Sequence, residues 1–294
     1  MRLVLRHMYL VLVLFVPAAT AAGNDVPYNK VEQVFLADLE GAKSQKQRLH
    51  VLKQLTEDFI ERHPERALPL AEELLEKTKH QKQQRAKSYL KMGQALYYLD
   101  KNLEALPYFL EAKKYAVDEN KTDDFFLANI YYYEGVAESY AGDYIKAKRA
   151  QEKALHYASK RDDDELIAFI LYELAYSEYG LDEFESGIEH SLQAYEIDVQ
   201  RNDSSAIYAD LNLLANVYND KKQPDQAIEY FLESEKYISK TSPYYLENQI
   251  TFHSNLGNTY LKKYEETKSE VYLEKAEKEI NTGLVLAKRL SYKY

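Results

Sequence analysis

The chain has 294 residues, a formal charge of −10, 29% charged and 46% hydrophobic residues, and no cysteine. The missing cysteines exclude disulfides, thiolate metal sites, a cysteine nucleophile and a lipidated N-terminal cysteine. The acidic excess is spread along the chain, a field that argues against nucleic acid and anionic membrane surfaces, which draw on clustered Lys and Arg.

The first segment, MRLVLRHMYLVLVLFVPAATAAG, carries Arg2 and Arg6, an apolar run from Met8 to Val16, and small residues at Ala19, Ala21 and Ala22. That order is the grammar of a cleavable secretory signal, placed here at residues 1–22. A membrane-spanning helix needs ~20 apolar residues, and Pro17 ends this run too early. The expectation is export across an inner membrane, most naturally into a bacterial periplasm, with no membrane insertion after cleavage. Residues 23–45 then form a lead-in.

From there the composition points to helices: 9 Gly, 7 Pro, no Trp and 28 Tyr suit helix packing better than turns and sheets. An internal repeat organises them. YLKMGQALYYLDKNLEALPYFLEA from Tyr89, YYYEGVAESYAGDYIKAKRAQEKA from Tyr131 and LNLLANVYNDKKQPDQAIEYFLES from Leu211 align without gaps, and LYELAYSEYGLDEFESGIEHSLQA from Leu171 joins more loosely. A small residue recurs at Gly93, Gly135, Ala175, Ala215 and Gly257, a beat of 40 to 42 residues. Second and third small residues follow at Ala105, Ala147, Gly187, Ala227 and at Ala112, Ala154, Ala194, Ser234. Small side chains there allow close helix crossings, as stacked helical hairpins require.

Leu211, Leu214, Ala215, Tyr218, Ala227 and Phe231 fit, position by position, the pattern of the tetratricopeptide repeat, and Gly142, Asp143 and Tyr144 resemble that family's inter-helix turn. The resemblance covers about residues 46–294. It implies an all-α, right-handed superhelical solenoid of about six antiparallel helix pairs, with units near 46–81, 86–120, 125–160, 165–200, 205–240 and 245–294. The longer period resembles kinesin light chains and periplasmic sensor regions of bacterial diguanylate cyclases and histidine kinases. The first unit, around Leu52, Leu55, Phe59, Ala67 and Ala71, is a divergent cap with a connection at Pro64. The last carries about seven extra residues between Tyr260 and Ala276, and the closing LAKRLSYKY resembles the lead-in to a further first helix.

Catalytic signatures are missing: there is no HExxH, no GxSxG and no phosphate-cradling glycine loop. Asp162, Asp163, Asp164 and Glu165 lack the alternation and glycine of a calcium loop, and they suit a solvated connection. His190 and His253 have no second ligand at helical spacing and suit ordinary helix positions. The expectation is a protein with no catalytic residues, no metal and no cofactor. Glu138 and Glu178 fall where an aromatic normally plugs the hairpin, with Glu134 one turn earlier in an apolar place. Burying carboxylates is costly, so the favoured arrangement rotates these helices until Tyr140 and Tyr179 plug the hairpins and the glutamates meet solvent or a Tyr hydroxyl, the alternative being an acidic pair of Glu138 and Glu178 that faces a ligand or cation.

First helices of tetratricopeptide hairpins line the concave surface. Projecting the register gives a groove with Lys87, Lys91, Tyr97, Tyr132, Tyr133, Phe169, Tyr172 and Tyr176 early, and Asn212, Asn216, Asn219, Asn255 and Asn258 late. Aromatics supply contact area, and an amide can meet both groups of a peptide backbone. LNLLANVY and HSNLGNTY resemble the Asn-bearing helices with which kinesin light chains hold extended peptides, which implies backbone clamping by Asn216 and Asn258 beside Asn212 and Asn255. Pairing of asparagines across adjacent repeats is the alternative. The functional expectation is a binder of a protein or extended peptide, serving as the sensor part of a signalling system. The alternative is a scaffold for envelope assembly that works through its ends or convex face, including self-association through the C-terminal repeat.

Overall fold

The computed structural model describes residues 30–116, 123–161 and 163–291. The proposed signal at 1–22 and the terminal Tyr292 and Tyr294 lie outside the described residues. The described chain forms thirteen α-helices and falls into two compact units that meet in sequence between Asp163 and Asp164.

The first unit holds α1 (Lys30–Glu40), α2 (Gln45–Arg62), α3 (Pro64–Lys77), α4 (Lys82–Tyr97), α5 (Asn102–Ala116), α6 (Asp124–Tyr140) and α7 (Tyr144–Ala158). The second holds α8 (Asp164–Gly180), α9 (Phe184–Arg201), α10 (Ser204–Asp220), α11 (Pro224–Glu235), α12 (Tyr245–Thr267) and α13 (Glu270–Ser291). From α2 onward the helices pair as hairpins, three in each unit. Their starts are set locally. Ser44, Asp123, Asp143 and Asp203 accept hydrogen bonds from backbone N–H groups of the first turn of the helix that follows, while Pro64 and Pro224 occupy first-turn positions where no N–H is needed.

Each later hairpin is closed by one left-handed residue: Asp100, Gly142, Asp182, Lys222 and Lys268, with φ between 55° and 79°. In four hairpins this residue comes seven after the small residue of the first helix (Gly93, Gly135, Ala175, Ala215). Only Gly142 announces itself by residue type. The other four hold a side chain where glycine is favoured, a strain of about 1 kcal/mol each.

The small residues do what their size allows. A Cβ on Gly93 would fall 2.3 Å from the Phe109 ring, one on Gly135 2.4 Å from the Gln151 amide, and one on Gly257 2.7 Å from Ile280. Phe109 and Gln151 stand sixteen residues beyond their glycines, as the fully buried Phe231 does beyond Ala215. Ile280 stands twenty-three beyond Gly257, because the last hairpin has four extra residues before its left-handed Lys268 and three after it. The second and third small columns, including Ala105, Ala147, Ala227, Ala112, Ala154, Ala194 and Ser234, are fully buried.

One terminal expectation is corrected. Leu286 to Ser291 continue α13 rather than opening a new helix, since Gly283 lets the helix run on against Ser254 and His253.

Candidate functional site

The thirteen residues projected onto a groove divide between the units. In the first, Tyr133 is buried: its ring stacks on Phe109 at 5.4 Å and meets Tyr97 edge-on at 5.2 Å, and burial pushes its phenol pKa up. Tyr132 is buried beside it, and its backbone carbonyl accepts from Gln151 Nε2 at 3.1 Å. Lys91 Nζ reaches Glu57 at 2.9 Å, and the Lys87 ammonium lies 5.8 Å over the Phe126 ring. Two tyrosines of this set therefore serve hairpin packing, and the lysines engage neighbouring helices.

In the second unit Tyr172 and Tyr176 are half-buried on α8, packed around Ala175, Leu213 and Val217 together with Tyr179 and Phe184. The asparagines converge more tightly than their spacing suggested. Asn212, 8% exposed, receives Asn216 Nδ2 and Asn255 Nδ2 on its Oδ1, each at 3.1 Å. Its own Nδ2 donates to Tyr208 Oη at 3.1 Å, and that hydroxyl donates across the hairpin boundary to the Asn248 carbonyl at 3.0 Å. A second rung runs beside it: Tyr179 Oη donates to Asp220 Oδ2 at 2.7 Å and Lys262 Nζ to Asp220 Oδ1 at 3.1 Å. These bonds link α8, α10 and α12, the first helices of three successive hairpins. Asn216, Asn255 and Asn258 stay half-buried, so their remaining amide groups sit at the surface of this seam. Asn219 keeps a buried Oδ1 without a hydrogen-bond partner.

The arrangement of the glutamates is corrected. Glu178 is 1% exposed and Glu138 is also buried, whereas Tyr140 is 46% exposed. Rotation of the helices is unnecessary because the second helix of each hairpin supplies a base. Glu178 Oε2 lies 2.7 Å from His190 Nδ1, and Glu138 lies 3.9 Å from Lys146 Nζ. Burial, opposed by Lys146, holds the Glu138 carboxyl above its ordinary range. Glu134 pairs with Lys113 of α5. His253 repeats the His190 device, with Nδ1 at 2.7 Å from Glu279 Oε2, so both histidines are hairpin partners rather than plain helix positions.

The sequence reading missed a further acidic contact. Asp198 near the end of α9 and Asp210 on α10 are almost wholly buried, and their carboxyls act on each other electrostatically. Burial first, and then the Asp198 charge, push the Asp210 carboxyl up to about 9. Arg201 Nη1 holds Asp198 Oδ1 at 2.5 Å. Among the described residues no group of three His, Asp or Glu is placed to hold a metal ion.

No protein family matches the chain by sequence profile, and no curated protein matches it. Solved structures do. The apo form of RapI superposes with a TM-score of 0.61 at 11% identity, over 89% of this chain and 90% of that one. BtubC from P. vanneervenii gives 0.60 at 17% identity, over 82% and 92%. A kinesin light chain of Podosopora anserina with TPR-like repeats gives 0.52 at 15% identity, over 68% and 96%. At these identities the likeness concerns the fold alone, and the chain shares an all-α helical-repeat fold with these structures.

Proposed function

We propose that the chain is an exported, non-catalytic binding module that holds a protein or extended peptide along the first helices α8, α10 and α12, as the sensor part of a signalling system. The seam around Asn212 supports this reading. That one side chain uses its carbonyl oxygen twice and its amide once, while Asn216 and Asn255 each give it only one N–H. Their remaining donors and carbonyl oxygens are thereby held in fixed directions at a half-buried surface, with Asn258 and the half-buried Tyr172 and Tyr176 in the same unit. Groups fixed before binding lose little freedom on meeting a backbone, which is where preorganised sites gain affinity. Asn212 then orients the clamp, and Asn216, Asn255 and Asn258 contact the partner.

A peptide array probed with the purified chain and with an Asn216→Ala, Asn258→Ala double variant tests the groove. The reading expects peptides that bind the parent and lose at least about tenfold in affinity with the double variant, while Asn281→Ala on the exposed face of α13 leaves them unchanged. Equal binding by all three chains defeats it. N-terminal sequencing of the protein recovered from a periplasmic extract tests export separately, with a start near Ala22 or Gly23 expected.

A further inference from the structure

Repetition of hairpins lets each be read against its neighbours. α2 opens at Gln45 and α4 at Lys82, while α3 opens at Pro64 and α5 at Asn102. Counted from those starts, Arg48 corresponds to Arg85, Leu52 to Tyr89, Glu73 to Glu111 and Lys77 to Tyr115. In the second hairpin Tyr89 stacks on Tyr115 at 5.6 Å, and the Arg85 guanidinium lies 5.3 Å and 5.4 Å from the two ring centres. The third hairpin repeats the device at the same positions of α6 and α7. Tyr131 stacks on Tyr157 at 5.8 Å, with Lys153 5.3 Å over the first ring and Lys160 4.8 Å over the second.

The first hairpin keeps the cations but has a ring at neither position. With Leu52 and Lys77 standing there, a cavity of about 500 Å³ opens between α2 and α3, inside the roughly 300–1,000 Å³ range of small-molecule sites. Leu52, fully buried, and Leu49, half-buried, give it apolar surface. Arg48 forms one wall, its N–H edge forked onto Glu73 at 3.0 Å and 3.2 Å. A guanidinium fixed by its edge keeps its flat face for stacking on a ring, as Arg85 does in the next hairpin.

The polar lining selects a negative charge. Glu73 is the one carboxylate that lines the cavity, and Arg48 satisfies it. Lys46 and Lys77 also line it, both exposed, and neither pairs with a carboxylate among the described residues. Of the neighbouring acids on α3, Glu76 is held by Lys79, and Glu72 is exposed outside the lining. Gln45 and Gln81 complete the wall with amides able to donate to an anion.

We propose that this cavity binds a small aromatic carboxylate, whose ring takes the place of the tyrosine pair against Leu49, Leu52 and the Arg48 face while Lys46 and Lys77 hold its carboxylate. The site lies in the first unit and is independent of peptide binding by the asparagine seam.

Isothermal titration of the purified chain with 2-naphthoate, to about 10 mM, tests it. The parent should saturate with a dissociation constant of about 1 mM or below. Cyclohexanecarboxylate, which lacks the ring electrons, and 2-naphthalenemethanol, which lacks the charge, should each bind at least about tenfold more weakly. Lys46→Glu with Lys77→Glu should weaken 2-naphthoate at least about tenfold, whereas Lys101→Glu with Arg149→Glu, an equal change of charge elsewhere in the unit, should leave it unchanged. Lys77→Tyr, which restores the ring of the next two hairpins, should abolish binding. All these positions are exposed, and circular dichroism confirms that each variant keeps its helices. A parent that shows no saturable binding overturns the proposal. So does binding that is equal for the three compounds, or that survives both Lys46→Glu with Lys77→Glu and Lys77→Tyr.

Discussion

Asn255 Nδ2 donates to Asn212 Oδ1 at 3.1 Å, joining the first helices of two successive hairpins through a pair of side chains forty-three residues apart. Since Asn212 accepts twice and donates once, removing it orphans several groups together. We expect Asn212→Ala to lower stability by about 1–3 kcal/mol, and Asn258→Ala by less than about 0.5 kcal/mol. Urea titration measures both, and similar small losses would show that the seam carries no structural weight.

The glycines separate by what stands opposite them. Gly93→Ala drives a methyl group into the Phe109 ring and should destabilise by about 1–3 kcal/mol. Gly187→Ala, whose nearest foreign atom is 3.4 Å away, should be neutral or slightly stabilising through helix propensity. Thermal melts of the two variants should therefore move differently, and equal losses would contradict the packing.

The left-handed turn residues make the opposite prediction. Lys222 sits at φ 61° without need of its side chain for the turn, so Lys222→Gly should stabilise by up to about 1 kcal/mol. A lowered melting temperature would mean that the Lys222 side chain holds contacts of greater value than the strain it imposes.

Asp210 links stability to pH. Its folded pKa of about 9 lies far above the ~3.9 of an unfolded aspartate, so the folded chain holds one more proton across that interval. The contribution is fully present below about pH 4 and is lost at up to about 1.4 kcal/mol per unit as pH rises toward 9. Arg201, Asp203 and Asp198 are the charged groups that face it, Arg201 pairing with Asp198 and the two aspartates raising the Asp210 carboxyl. Asp210→Asn should flatten the slope and raise stability above neutral pH. Denaturation midpoints for both chains at about pH 5, 7 and 9 check this, and parallel slopes would refute it.

His190 supplies the partner that makes Glu178 tolerable. His190→Leu should cost about 1–3 kcal/mol by removing a hydrogen-bonded partner from a buried carboxylate, discounted because the imidazole is partly exposed. Adding Glu178→Leu should recover much of that loss. A double variant no more stable than the single would place the effect elsewhere.

The hairpin architecture was legible because its signal is steric. Gly93, Gly135 and Gly257 are visible as missing side chains, and each leaves room for a group on the opposite helix. Polar partners were not legible in the same way. Glu178 and His190 are twelve residues apart on different helices, a spacing that carries no helical phase, so the carboxylate looked unpaired and a rotated helix looked cheaper. The asparagine series was visible, but not its internal bonding. The repeat counterpart of Asn212 is Ser254, whereas its bonded neighbour is Asn255, because the two amides sit on opposite faces of their helices and look toward each other. Asp198 and Asp210 carried no signal at all, being two ordinary acidic residues until a turn at Asn202, with φ 56°, folds them together.

The enlarged last hairpin shows what such a fold holds constant as it grows. Four residues before Lys268 and three after it add about one helical turn to each arm, and seven residues are close to two turns of ~3.6. Gly257 therefore still meets the side chain that its neighbours' spacing would have assigned to it, on a hairpin longer by one turn. Azimuth, rather than length, is the invariant. Arms of this protein can be extended in whole turns without changing which residues face one another, whereas an insertion of two or five residues would rotate every contact beyond it onto the wrong side.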